Sequence, residues 1–315
     1  MKYSIVIPNF NNVALIKKCL EAIRKNTKGL DHEVIVVDDC SSDDSRKFLS
    51  SQKDIVYLEN KTNQGFAKTN NVGVEKSTGD VIILLNSDTE VHPGWLEAID
   101  RVFQAEKNIG AVGVKLLYPD GTIQHAGVMI AADHAPRHIY KAKPANYKPA
   151  NHQRDYKEVT AACMAIPKDK YNEVGGLDEA FRNGFEDIDM CLKLYHLGNR
   201  IIYTPEAVVT HHESVAPGRF KHEDKNFELY MSRWKDEEPD AHKYYREDGR
   251  SWLWILWNDL YIMSWGPDRF GTRPTWIKFA RLLFIPLNKI YTFLTLLFSG
   301  DIAGIKEKLK GDKDA

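Results

Sequence analysis

Glu33-Val34-Ile35-Val36-Val37-Asp38-Asp39 and Val81-Ile82-Ile83-Leu84-Leu85-Asn86-Ser87-Asp88 are built alike: an apolar, β-rich run ends in carboxylates. Strands buried on both faces of a parallel sheet read as such unbroken apolar runs. Ligands in these sheets bind just past the carboxyl ends of the strands. The chain carries no glycine-rich loop to cradle phosphates. Carboxylates at strand ends without such a loop point to a nucleotide diphosphate held through a divalent metal.

The surrounding pattern agrees with a sheet of this kind. Residues 3–8 form a strand pattern, and Leu15, Ile16, Cys19, Leu20 and Ile23 keep helical spacing, with Asn11 or Asn12 as the cap. Ser41-Ser42-Asp43-Asp44 offers capping chemistry for a short helix through Phe48-Leu49. Strands are expected at 55–58, 80–85 and 111–115, and helices at 65–76 and 95–105. This alternation predicts a mostly parallel α/β sheet flanked by helices. Residues 118–155 hold turn signals among basic and aromatic side chains, which suits an active-site loop region better than a second core. Regularity returns at 159–166, followed by a helix at 186–197 and strands at 201–203 and 208–210.

Composition narrows the classes. The chain has 315 residues and a formal net charge of -1, so no basic field attracts nucleic acid. Its four cysteines show no CxxC pair, which leaves reduced thiols as the simplest reading. Met1-Lys2-Tyr3 runs straight into a strand pattern, so no leader and a cytoplasmic position are expected. The tail differs from the rest. Trp252, Trp254, Trp257, Tyr261 and Trp265 crowd one stretch, and a second apolar stretch at 276–298 is broken by Lys278, Arg281, Pro286 and Lys289. No run of about 18–20 apolar residues exists to span a membrane. From Ser251 on, nine Lys/Arg face six Asp/Glu, a local charge of +3. Such a segment suits peripheral contact with the membrane interface, or else a helical cap or dimer interface. The expected division is a catalytic domain at 1–220 and a C-terminal helical, aromatic-rich extension at 221–315.

Each motif has a plain reading beside the chemical one. Asp38-Asp39 could bind a base imide or ribose, or simply make a turn before Cys40-Ser41. Asp88 could hold Mg²⁺ or Mn²⁺, or Asn86-Ser87-Asp88 could be an Asx-turn. Glu186-Asp187 begins a helix, where acids suit the helix dipole, yet a carboxylate there could also take a proton from an acceptor hydroxyl. His211, in His211-His212 after a strand, is a plausible metal ligand or a structural histidine. Gly65 could open a helix facing an anion, or be an ordinary helix start.

Taken in order, Ser4-Ile5-Val6-Ile7-Pro8-Asn9-Phe10-Asn11, Val36-Val37-Asp38-Asp39-Cys40-Ser41, Asn63-Gln64-Gly65-Phe66-Ala67, Asn86-Ser87-Asp88, and Glu186-Asp187 with His211 resemble the family 2 glycosyltransferases of the GT-A fold. Residues 118–127, Tyr-Pro-Asp-Gly-Thr-Ile-Gln-His-Ala-Gly, resemble the rhamnosyltransferase-like branch that builds bacterial surface polysaccharides. The resemblance implies inverting transfer from a dTDP- or UDP-sugar to a saccharide or lipid-linked acceptor at the inner membrane face. By matched position, Pro8 and Asn9 would line the nucleotide pocket, and Asp39 would bind the base with Asp38 supporting it. Asn63, Phe66, Asn70, Asn86 and Ser87 would lie near the nucleotide or donor sugar. Asp88 and His211 would hold Mn²⁺ or Mg²⁺. Asp187 would be the base, with Glu186 as its neighbour, and Trp95 would lie on the acceptor side. The family often has Asp where this chain has Asn86, which removes one charge from the metal motif. Two other classes compete: a sugar nucleotidyltransferase, which needs a glycine-rich basic loop that residues 8–12 lack, and a non-catalytic membrane-associated protein with a degenerate transferase fold.

Overall fold

Unbroken apolar runs become strands because both of their faces are covered. The computed structural model describes residues 1–213 and 222–265. The expectations for 276–298, for the net charge of the tail, and for most of the C-terminal extension lie outside those residues.

Strands β1 (Tyr3–Asn9), β2 (His32–Asp38), β3 (Val56–Glu59) and β4 (Val81–Leu85) pair in parallel in the order β4-β1-β2-β3. Helices α1 (Val13–Asn26), α2 (Ser45–Ser50) and α3 (Phe66–Lys76) make the crossovers. The chain continues through β5 (Thr89–Val91), α4 (Trp95–Ala105) and β6 (Ile109–Leu117). Short pieces follow: β7 (Ile123–His125), β8 (Val128–Ile130), β9 (Pro136–His138), a 3-10 turn at Lys148–Ala150, and β10 (Arg154–Tyr156). Then come β11 (Cys163–Pro167), α5 (Lys168–Glu173), α6 (Glu186–His196), β12 (Arg200–His211) and α7 (Glu223–Trp234).

The expectation of a mostly parallel sheet holds for the half built on β4-β1-β2-β3. The other half is mixed. β11 enters antiparallel between β4 and β6, while β12 lies parallel to β6 and antiparallel to β5 and β10. No crossover helix separates β6 from β11, so the segment between them leaves and re-enters the sheet at one edge. Strand direction therefore reverses, which a buried apolar run cannot announce. The strands expected at 201–203 and 208–210 are one strand with an irregularity between Thr204 and Val208.

Side-chain alternation divides the core between the two faces. Tyr3, Ile5 and Ile7 of β1 join Ile16, Leu20 and Ile23 of α1 and Leu96, Ile99 and Val102 of α4. Val6 joins Val37, Ala67 and Val74 of the α3 side and Met190 and Leu194 of α6. Trp95 belongs to the first cluster, is fully buried, and donates from Nε1 to Thr27 Oγ1 at 3.0 Å. It is a core residue, not an acceptor-side one, because it falls on the apolar face that α4 turns to the sheet. Cys19, Cys163 and Cys191 are buried, and Cys40 is half-buried.

The chain forms two compact units. One comprises Met1–Met129 with Pro136–Glu238, the other Ile130–Ala135 with the described residues from Pro239 on. The division falls later than residue 220 because α7 is tied to the sheet unit. Asn226 accepts from Arg182 N and donates to Arg182 O and Gly184 O. Arg233 and Trp234 donate to the buried Asp189 carboxylate at 2.9 and 3.0 Å. In the second unit, Asp240 and Ile130 exchange backbone and side-chain hydrogen bonds beside α8 (Ala241–Glu247). Helix α9 (Trp252–Trp265) buries Ile255 but leaves Trp252 68%, Leu253 61% and Leu256 49% exposed. No described helix is long and apolar enough to cross a membrane.

Close approach of α3 to β1 requires Gly73. A Cβ there would lie 2.4 Å from Val6 Cγ1 and 3.1 Å from Val37 Cγ2, both on stiff β-branched side chains. Gly73→Ala is expected to lower stability by about 1–3 kcal/mol through overpacking. Urea unfolding of both proteins measures this, and an unchanged midpoint would contradict the packing described.

Candidate active site

The site starts where β1 and β2 end. Asp38 is buried and does not reach the cleft. It accepts from Ser41 N at 2.8 Å, Ser41 Oγ at 2.7 Å and Asn9 Nδ2 at 3.0 Å. Its carboxylate thus shapes the loop. Asp39 lines the cleft and accepts from Asn60 Nδ2 and Gln64 N on Oδ1, and from Gly65 N on Oδ2. Three charge-assisted bonds fix it against the start of α3. The Asn9 amide, committed to Asp38, leaves Oδ1 buried at the cleft without a hydrogen-bond partner. Asn70 turns inward instead, donating to Phe66 O at 2.9 Å, and does not line the cleft.

At the end of β4, Asn86, Ser87 and Asp88 face His211 from β12. Gln124 Oε1 lies 2.6 Å from His211 Nδ1. An amide oxygen only accepts, so the neutral ring carries its proton on Nδ1 and turns a lone pair on Nε2 into the site. That Nε2 lies 3.1 Å from Asp88 Oδ1 and 3.2 Å from Asn86 Nδ2. Asn86 Oδ1 is buried without a partner. An imidazole lone pair facing a carboxylate oxygen, beside an idle amide oxygen, is a donor set that fits a divalent cation. Among the described residues no group of three or more His, Cys, Asp or Glu side chains converges on one metal position. His212 points elsewhere and meets Glu90 at 2.7 Å.

The third part precedes α6. Asn183, Gly184 and Phe185 all have positive φ, at 59°, 150° and 74°. For the two non-glycine residues this conformation costs about 1–3 kcal/mol each. The cost is met by packing: Phe185 lies against Phe227 and Tyr230, with ring centroids 5.9 and 5.4 Å away. This turn delivers Glu186 and Asp187 to the cleft. Glu186 accepts from Gly184 N at 2.6 Å, and Asp187 accepts from Ala161 N at 3.0 Å and Ile188 N at 2.9 Å.

One cleft of about 460 Å³ joins the three parts. It brings together Pro8, Asn9, Asp39, Asn63, Phe66, Asn86, Ser87, Asp88, Glu186, Asp187 and His211, and leaves out Asp38, Asn70 and Trp95. Among the cleft residues that sequence reasoning missed are Gln124, His138, Lys141 and Arg182. The first belongs to the quoted 118–127 motif, and the next two to the segment assigned as an active-site loop region. His125, also of that motif, is buried behind the cleft and meets His138, Nδ1 to Nδ1, at 2.9 Å. Burial holds His125 well below the ordinary imidazole value of 6.5, whereas His138 is exposed to the cleft.

The fold is the GT-A fold, shared with two solved structures. A mannosyltransferase from Pyrobaculum calidifontis, solved with GDP-Man and Mn²⁺, aligns over 98% of this chain and 86% of its own, with a TM-score of 0.57 and 18% identity. GalNAc-T7, solved with UDP, GalNAc and Mn²⁺, aligns over 85% of this chain and 58% of its own, with a TM-score of 0.57 and 15% identity. The family model described as glycosyl transferase family 2 matches residues 4–166, and the chain belongs to that family. The O-antigen biosynthesis protein RfbC of Myxococcus xanthus is 30% identical over 225 residues, covering 68% of this chain and 18% of that protein. The chain spans 18% to 50% of the length of the curated relatives it matches first.

The buried neutral His125 sets an acid limit. Its folded value lies well below the unfolded value near 6.5, so as the pH falls below about 6.5 the unfolded chain binds more protons. Stability present above pH 6.5 is therefore lost as the pH falls. Urea midpoints are expected to drop from pH 7.5 to pH 5, and a flat profile would show that this ring is solvated.

Proposed function

We propose that this chain transfers a sugar from a nucleotide-diphosphate donor, a dTDP- or UDP-sugar, to a saccharide or lipid-linked acceptor in cell-surface polysaccharide synthesis, with inversion at the anomeric carbon. The observation that carries the proposal is the single cleft joining Asn9 and Asp39, Asp88 and His211, and Glu186 and Asp187. Family membership supports it, as do the O-antigen name of one relative and the nucleotide and Mn²⁺ in the titles of the structural neighbours.

In this reading Asn9 and Asp39 hold the nucleoside, with Asn63 and Phe66 beside it. Asp88 and His211 would hold Mn²⁺ or Mg²⁺, and Asn86 could add an amide oxygen. When bound, the cation would offset the charge that leaves with the diphosphate. Asp187 takes the proton of the acceptor hydroxyl as its oxygen attacks. Hydrogen bonds from Ala161 N and Ile188 N keep that carboxylate in place, and Glu186 orients the sugar or acceptor next to it.

The exposed Trp252, Leu253 and Leu256 of α9 support a peripheral contact of the second unit with the inner face of the cell membrane. Replacing all three by Ser is expected to reduce co-sedimentation with anionic liposomes by severalfold. Equal co-sedimentation would assign these side chains to a protein contact instead.

The activity is tested with a panel of dTDP-, UDP- and GDP-sugars and Mn²⁺. Asp187→Asn is expected to lower turnover of the preferred donor about 10²–10⁴-fold while keeping UDP–Mn²⁺ affinity. Asp88→Ala is expected to lose the metal-dependent part of that affinity. Loss of nucleotide binding in Asp187→Asn would remove the base assignment, and metal-independent binding by the wild type would remove the ligand assignment.

A further inference from the structure

His138 exposes its ring to the cleft that Asp187 lines, and no described residue hydrogen-bonds to its Nε2. Its protonation is fixed from behind. Gly127 N donates to His125 Nε2 at 3.3 Å, so that nitrogen carries a lone pair. The neutral His125 ring must then hold its proton on Nδ1. This proton lies in the 2.9 Å contact between the two Nδ1 atoms, which makes His138 Nδ1 the acceptor. The neutral His138 ring is left with its proton on Nε2. Edge-to-face packing of the rings, with centroids 4.9 Å apart, holds the pair in place, and Tyr203 backs His125 at 6.3 Å. Burial holds the His125 ring neutral at ordinary pH. The charged and titratable groups acting on His138 are Asp187 first, then Lys141, Glu213 and His211.

We propose that His138 donates a hydrogen bond from Nε2 to the acceptor oxygen that Asp187 deprotonates, and that the pair selects an alcohol hydroxyl, not a phosphate, as acceptor. This rests on the base role proposed above for Asp187. The carboxylate offers only lone pairs, and the neutral Nε2–H offers only a proton to share. An oxygen that satisfies both must have a proton to give and a lone pair to accept with. A sugar hydroxyl has both. An ionised phosphate oxygen has no proton for Asp187 and is repelled by it. In the step, the O–H bond breaks and its proton goes to Asp187. The oxygen bonds to the anomeric carbon, and the bond from that carbon to the diphosphate breaks, its electron pair leaving with the nucleoside diphosphate. His138 keeps its proton throughout and steadies the oxygen. His125 is a positioning residue that sets the tautomer.

Two measurements test the proposal. Nitrogen-15 NMR of histidine-labelled wild type between pH 6 and 8 is expected to show His138 as the Nε2–H form and His125 as the Nδ1–H form. The opposite form at His138 would overturn the proposal whatever the enzyme does. The second follows turnover with Mn²⁺ and the preferred donor, using water, a panel of methyl glycosides, and undecaprenyl phosphate as acceptors. His138→Phe is expected to keep UDP–Mn²⁺ affinity within about twofold and to lower turnover to water and glycosides about tenfold or more. His138→Gln, which restores an N–H near the same reach, is expected to recover most of the loss. Wild-type rates in His138→Phe, or wild-type transfer to undecaprenyl phosphate, would overturn it. A wild type that binds no nucleotide would instead refute the proposed function, and the tautomer result would still stand or fall by itself.

Discussion

Buried carboxylates at one edge of a sheet must be compensated, and here the compensation comes mostly from backbone N–H groups. Ser41 N serves Asp38, Gln64 N and Gly65 N serve Asp39, Gly184 N serves Glu186, and Ala161 N and Ile188 N serve Asp187. A buried carboxylate without such donors would pay several kcal/mol or take up a proton. The loops after β2 and before α3, β11 and α6 therefore take the shapes that aim amides inward. Asp88 also meets the His211 ring, with Oδ1 3.1 Å from Nε2.

Aiming amides in this way has a conformational cost. The turn before α6 runs through three consecutive positive φ values, two of them at non-glycine residues. Asn226 and the Phe185–Phe227–Tyr230 cluster hold it there, so α7 supports the site. Asp189, one helical turn after Phe185, extends the same anchoring, binding Arg233, Trp234 and Lys193. This is why the sheet unit reaches to Glu238 and does not end with the last strand.

Much of this was legible before the structure. Strands β1, β2 and β4 are unbroken apolar runs, and the carboxylates following two of them mark the cleft edge. What was not legible depended on partners distant in sequence. Trp95 stands just after the metal motif, yet the helical spacing of Leu96, Ile99 and Val102 turns it into the core. Asn70 sits in a motif-rich stretch but faces Phe66 O. His138 lies among turn signals with no motif of its own, and its role emerges only from its contact with His125, thirteen positions earlier. The direction of β11 is likewise set by where the preceding segment re-enters the sheet.

Dependence on main-chain donors also separates position from identity. The amides of Gln64 and Ala161 hold Asp39 and Asp187 whatever side chains those two residues carry. The reactive frame can therefore stay fixed while side chains around it drift. In a lineage of such enzymes, new donors and acceptors could be explored at the rim by single substitutions, without first rebuilding the carboxylate geometry that the chemistry needs.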